Sequence, residues 1–372
     1  MIIREILNGE NELVKSHGYD IRTDDNAEGM AWATMNIRKT RFAGNWVNTM
    51  TISGVGTKVQ YRRQGCIRNL LENIHPRAKE YGTAVSILHP FSFSFYRKYG
   101  YERIADTLIV DFPITALEFL PRYADLKPMS ANRLDEVVSL YDRCMAKRNL
   151  TFERKNSDQF GNQNGKQMFL YDAPDGHLAG YVIVQPINHY DGVNRMVSDS
   201  LDVWELVYED ADALKHLLSF LRMFEGELDT VHLREIGMLP EVDWVLKRYM
   251  HTSYTVRPDI AARILDTEAM LRANTYPTAH GVFTLRVEDN LPDVAGTFRV
   301  EYADGKCEVE RLTDTAAADL TVGATALSRL LYGTDAFDAA LASYLDGVKM
   351  ENAAEDFFRA FPKRINGLYE HF

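Results

Sequence analysis

At 372 residues the chain outgrows the roughly 250–300 residues that one hydrophobic core sustains, so two or three domains are expected. Hydrophobic residues at 46% and charged residues at 26% exclude disorder, and no run approaches the ~18 apolar residues of a membrane span. The opening Met1 to Leu7 has neither the basic head nor the apolar run of a signal peptide, so a cytoplasmic protein with no membrane partner is expected, and the net charge of −11 argues against nucleic acid and suits cationic small molecules.

Along the chain, Met30 to Arg38 and Trp46 to Thr57 read as strands separated by a polar connection, Lys39 to Asn45, that contains Gly44. From Gly65 to about Tyr81, Ile67, Leu70, Leu71 and Ile74 recur at helical spacing, with Pro76 as a late kink or early stop. Thr83 to Leu88 alternates as a strand, and Phe91 to Lys98 reads as a short helix closed by Gly100. The middle third repeats this grammar. Met168 to Tyr171 and Tyr181 to Val184 flank an Asp175-Gly176 turn, Ser200 to Tyr208 is β-rich, and a helix over Ala211 to Phe224 carries Leu214, Leu217, Leu218 and Leu221 on one stripe. In the last third, Phe283 to Val287, Gly296 to Tyr302 and Lys306 to Arg311 form a meander with an Asp304-Gly305 turn. Helices are expected near Ala324 to Leu331 and Asp335 to Leu345.

Chemistry concentrates in Val55-Gly-Thr-Lys-Val-Gln-Tyr-Arg-Arg-Gln-Gly-Cys-Ile-Arg-Asn-Leu-Leu71, where a strand runs through a basic glycine loop into a helix start. Unpaired N–H groups at a helix N-terminus carry partial positive charge and can wrap a pyrophosphate. Gly65 permits close backbone approach, while Arg62, Arg63 and Arg68 add charge. On its own the loop reads equally well as a basic surface turn. The matching joint of the middle third, Tyr208-Glu-Asp-Ala211, is acidic and lacks glycine, so only the first copy is expected to hold a phosphate. Cys66, Cys144 and Cys307 stand apart from one another, and no HExxH, GxSxG or P-loop occurs, so no disulfide, metal or serine-hydrolase chemistry is expected. His89 and His371 are the histidines near this chemistry, each as readily a packing residue as an acid or base.

A second segment, Ser86-Ile-Leu-His-Pro-Phe-Ser-Phe-Ser-Phe-Tyr-Arg-Lys-Tyr-Gly-Tyr-Glu102, follows at the spacing that a further strand and helix require. Together the two segments resemble the GNAT superfamily, in which Arg/Gln-x-x-Gly-x-Gly/Ala binds the coenzyme A pyrophosphate ahead of a Phe-Tyr-x-x-x-Gly-Tyr/Phe stretch. The run Tyr-Arg-Arg-Gln-Gly, the segment Ala262-Arg-Ile-Leu-Asp-Thr-Glu and the ending Phe361-Pro362 to Phe372 look closer still to the enhanced intracellular survival (Eis) family. That resemblance implies an α/β (α+β) chain with tandem GNAT-like domains and an α+β sterol-carrier-protein-like domain. The units would be 1–115, binding acetyl-CoA; 116–265, without a cofactor loop; and 266–372, carrying the terminal carboxylate.

By the same resemblance Val55, Gly56 and Thr57 face the thioester and pantetheine. Arg62, Arg63, Gln64, Gly65, Cys66, Ile67 and Arg68 hold the pyrophosphate, and Phe91 and Ser92 touch the coenzyme. Tyr96 falls on the general acid and the Phe372 carboxylate on the general base. The implied reaction is N-acetylation of a small, aminoglycoside-like amine by acetyl-CoA, without a metal, in a homo-oligomer, a trimer or hexamer. Two departures stand out. Ile67 replaces the usual Gly or Ala. Only about thirty residues precede the first strand after the initial one, where the family places two helices that wall the acceptor cleft, so either those helices are trimmed or the cleft is more open. The rival reading is a lipid or sterol carrier using the C-terminal unit, with a degenerate GNAT half.

Overall fold

The computed structural model describes residues 2–24, 28–160, 165–190, 196–236, 251–313, 315–334, 347–352, 359–370 and 372. It opens on a hairpin, β1 (Ile2–Glu10) and β2 (Lys15–Arg22), where the resemblance implied two helices. Alternation explains the difference, because Tyr19 and Ile21 point inward at period two and are at most 2% exposed. β3 (Ala31–Phe42) and β4 (Asn45–Thr57) run deep into the expected connection and leave only Ala43-Gly44 between them. Both turn residues have positive φ, the hand that matches strand twist in a two-residue hairpin. After a short 3₁₀ turn comes α1 (Cys66–Ile74), burying Cys66, Leu70, Leu71 and Ile74. Pro76 cannot donate an N–H, and the chain continues from His75 to Tyr81 as 3₁₀ helix. β5 (Val85–Leu88), α2 (Phe93–Arg97) and β6 (Glu102–Pro113) follow.

The middle of the chain supplies β7 (Lys127–Pro128), α3 (Leu134–Met145), β8 (Arg148–Asn149), β9 (Gln167–Asp172), β10 (Leu178–Tyr190) and β11 (Met196–Tyr208). Then come α4 (Ala211–Leu221), β12 (Thr230–Ile236) and β13 (Ser253–Ile264). One twelve-stranded sheet takes in every strand to this point except β8, in the order β1-β2-β3-β4-β5-β13-β6-β12-β11-β10-β9-β7. β13 lies between β5 and β6, with Ala262 opposite Ile87 and Arg257 opposite Thr107. The segment from Ala262, at the expected boundary between the second and third units, therefore begins inside the sheet. Ile260, Ala261 and Ala262 are fully buried there, as expected for a strand covered on both faces.

Beyond α5 (Thr267–Ala273), capped by Asp266, a second sheet holds β14 (Gly281–Glu288), β15 (Gly296–Ala303), β16 (Lys306–Leu312), β17 (Leu320–Gly323) and, after α6 (Ala324–Tyr332), β18 (Lys349–Met350). Asp304 and Gly305 form the expected turn with positive φ. The helix expected over 335–345 lies outside the described residues. β19 (Ile365–Asn366) leaves this sheet and pairs in parallel with β8. Buried Asn366 fastens the crossing by accepting from Asn149 at 2.8 Å and donating to the Tyr332 carbonyl at 2.8 Å and the Ile104 carbonyl at 3.1 Å.

Candidate active site

The site begins where two parallel strands part. β4 pairs with β5 only from Thr49 to Thr51, opposite Val85 to Ile87. Beyond that β4 bonds to β3 alone, through a register shift opposite Trp32 to Thr34 that includes Gly54 at φ +56°. This bulge takes Gly54 and Val55 out of the regular ladder, pairing with β3 resumes at Gly56 and Thr57, and a wedge-shaped opening is left toward β5. A Cβ at Gly56 would come within 2.5 Å of the Trp32 indole, so a side chain there would have to displace that exposed ring.

From the end of β4 the chain reaches the N-terminus of α1, where no side chain caps the helix. Gly65 occupies the cap with φ +78° and ψ 10°, a left-handed conformation costly for other residues. A Cβ there would meet nothing within 4 Å, so in the free protein glycine is required by the backbone angle rather than by crowding. Arg62, Arg63, Gln64 and Arg68 are exposed around this end. Cys66 differs from the rest: its side chain is buried and its thiol points to the Tyr61 carbonyl at 3.8 Å, so only its backbone N–H faces outward. Ile67 packs partly against the core beneath the sheet. These residues fit an anionic diphosphate, offering first-turn N–H groups with no side-chain acceptor and guanidinium groups nearby.

Beside this loop, the Ser92 hydroxyl caps α2 by accepting from the Phe95 N–H at 3.3 Å, and Phe91 stands 75% exposed at the wedge. Tyr96 is 3% exposed, edge-on to Phe91, Phe95 and Tyr101. Burial, reinforced by Tyr99, pushes its phenol up to about 12. The rest of the motif is scaffold. Arg97 makes a fork with Glu102 at 2.7 and 2.8 Å, and Tyr101 bonds Ser86 at 2.7 Å and His75 at 2.9 Å. Gly100, at φ +81°, gives room to the Arg263 guanidinium, which donates to the Tyr99 carbonyl and, at 2.8 Å, to Asp289 of the second-sheet domain.

Phe372 arrives from the other side. Its ring lies 4.7 Å from the His89 imidazole and 5.8 Å from the Phe152 ring. Alternation along β5 fixes the geometry: Val85 and Ile87 belong to the core that contains Phe152, whereas Leu88 belongs to the core that contains Tyr96 and α1. Tyr96 and Phe372 therefore flank the wedge from opposite faces of one sheet. His89, one residue past β5, donates from Nδ1 to Asp259 at 2.8 Å, and Thr107 donates to the same carboxylate at 2.6 Å. Asp259 carried no signal in the sequence, being 170 residues from His89. His371 lies outside the described residues.

In the middle third β11 likewise pairs with β12 only from Ser200 to Val203, but the helix end beyond it is occupied by carboxylates. Asp210 caps α4 itself, accepting from the Ala213 N–H at 2.8 Å, while Glu209 pairs with Arg143 and His177.

Comparison with known proteins agrees with this geometry. Residues 10–104 match the acetyltransferase (GNAT) domain and residues 267–367 the sterol carrier protein domain. No curated protein matches the chain. Among solved structures, a GCN5-related N-acetyltransferase from Anabaena variabilis superposes with a TM-score of 0.81 at 18% identity, over 96% of this chain and 89% of that one. A GCN5-related N-acetyltransferase from Kribbella flavida gives 0.79 at 22%, over 96% and 87%, and Eis1 from Mycobacterium abscessus gives 0.72 at 17%, over 98% and 92%. The chain thus carries a GNAT acetyltransferase domain, the kind that uses acetyl-CoA, followed by a sterol-carrier-like domain, and it is an acyltransferase. Among the described residues no helix is long and apolar enough to cross a membrane, and no cluster of His, Cys, Asp or Glu has metal-binding geometry.

Proposed function

We propose that the protein moves the acetyl group of acetyl-CoA to a primary amine of a small acceptor by direct attack, with Tyr96 as general acid and the Phe372 terminal carboxylate as general base. The observation that carries this is the placement of Tyr96 and Phe372 on opposite faces of the β4–β5 wedge. Arg62, Arg63, Arg68 and the first-turn N–H groups from Cys66 would hold the pyrophosphate, and the β4 bulge would take the pantetheine. The acceptor approaches from the Phe372 face as an ammonium ion and gives a proton to the carboxylate. An α-carboxylate is intrinsically a weak base, so position and local dehydration must do the work. The freed nitrogen forms a bond to the thioester carbon while backbone N–H groups near Val55 stabilise the oxyanion. The C–S bond then breaks and the sulfur takes the Tyr96 proton, which solvent replaces, while the amide nitrogen sheds its second proton to solvent and the Phe372 carboxyl returns its own.

The resemblance to Eis enzymes makes aminoglycoside-like polyamines the first acceptors to try, in a cytoplasmic homo-oligomer with units 1–115, 116–265 and 266–372. Coenzyme A release should appear with at least one member of an amine panel that includes aminoglycosides. Silence across the panel, with displacement of a fluorescent lipid instead, would favour the carrier reading. Against that reading stand the open, basic helix end at Gly65 and the buried Tyr96, features that a pure carrier does not need.

A further inference from the structure

Arg154 is a charged side chain 1% exposed to solvent, in a segment that in sequence reads as an ordinary polar connection. Its guanidinium stacks 4.1 Å over the Tyr141 ring and 4.7 Å over the Phe160 ring, both of them buried. It forks onto Glu205 of β11 at 2.7 and 3.2 Å, and the Tyr181 hydroxyl donates to the same carboxylate. Its Nε points elsewhere, at 2.8 Å, to Glu370, two residues before Phe372. Burying such a cation is costly unless it is fully paired, and here one of its partners is the tail of the chain. Next door, the Tyr369 hydroxyl donates to the Leu206 carbonyl at 3.2 Å, and Arg38, stacked 3.8 Å over Phe152, has its charge facing Glu370. The tail is therefore gripped by groups of the middle third, with Arg38 of β3 beside them, just before it delivers Phe372 to His89.

We infer that Arg154, held by Glu205, is a positioning residue: through Glu370 it fixes the place of the terminal carboxylate at the wedge. The inference rests on the reading of that carboxylate as the base. It also gives the middle third a task other than binding a second coenzyme, since β10, β11 and α3 build the socket. The second Glu370 oxygen, Oε2, is buried with no hydrogen-bond partner among the described residues, so the side chain is tied down through Oε1 alone. Glu370→Gln keeps the shape and removes the charge.

The experiment compares the full chain with Glu370→Gln, with the double variant Arg154→Met/Glu205→Gln, and with a chain extended by one glycine after Phe372. The double variant avoids leaving Glu205 as an unpaired buried charge. Release of Phe372 by carboxypeptidase A should speed up about tenfold in both clamp variants, because protection of a chain end follows its local opening. Their kcat/KM for the amine should fall about tenfold, while acetyl-CoA affinity stays within about twofold of the parent's, the signature of lost positioning rather than lost binding. Unchanged tail release, or parent-like turnover with a freed tail, overturns the inference. The extended chain separates the two claims: full activity there overturns the carboxylate reading itself, whereas inactivity there with fully active clamp variants overturns only the role of Arg154.

Discussion

Two strand-to-helix joints, one in each of the first two thirds, end in opposite ways. At α1 the cap is Gly65, no side chain accepts from the first turn, and Arg62, Arg63 and Arg68 surround it. At α4 the cap is Asp210, whose carboxylate already accepts the Ala213 N–H, with Glu209 before it and Asp212 after it. A helix N-terminus with its N–H groups and dipole free is an anion site; one with a carboxylate seated on it is already satisfied. The same local fold is therefore open to an anion in one place and closed in the other.

The largest expected effect tests whether chemistry follows the first joint alone. Tyr96→Phe removes only the hydroxyl, and kcat should fall by roughly 10²–10⁴, the usual worth of a positioned acid, with acetyl-CoA affinity unchanged. Full activity would mean that another group protonates the thiolate. Because burial raises the Tyr96 phenol to about 12, it remains a proton donor through the neutral range. Any loss of kcat between pH 7 and 10 should therefore persist in Tyr96→Phe. Ionisation also bears on stability: with the folded value above the unfolded one, the contribution of this tyrosine is intact below about pH 10 and is lost as pH rises toward about 12.

Gly65→Val comes next. A β-branched residue at φ +78° costs on the order of 1–3 kcal/mol of backbone strain, so the loop should relax elsewhere and acetyl-CoA affinity should drop about tenfold or more in a chain that still melts cooperatively. The smallest effect belongs to the other joint. Asp210→Ala should cost about 1 kcal/mol of stability, read as a lowered Tm, and leave acetyl-CoA affinity and turnover as they were.

Local signals found the elements and part of the site. The stripe of Leu70, Leu71 and Ile74 located α1, the basic loop located its open end, and the Asp304-Gly305 pair located a hairpin. Long-range pairing was not legible. Nothing in Ser253 to Ile264 says that it lies between β5 and β6, since that neighbourhood is set by pairing with strands far away in the chain, as Ser253 with Asp111 and Ile264 with Val85. Arg154 lay hidden for the same reason: in Phe-Glu-Arg-Lys-Asn it reads as one more surface charge, and only the return of Glu370 across 216 residues shows it to be buried. Cys66 could be placed in the loop from sequence, but the direction of its thiol depended on the helical phase.

The most direct test of the contrast between the joints is the stoichiometry of acetyl-CoA binding, measured by titration calorimetry on the parent chain and on Gly65→Val. The account predicts one site per chain, weakened by the substitution at Gly65. Two equivalent sites, or a single site indifferent to Gly65→Val, would contradict it.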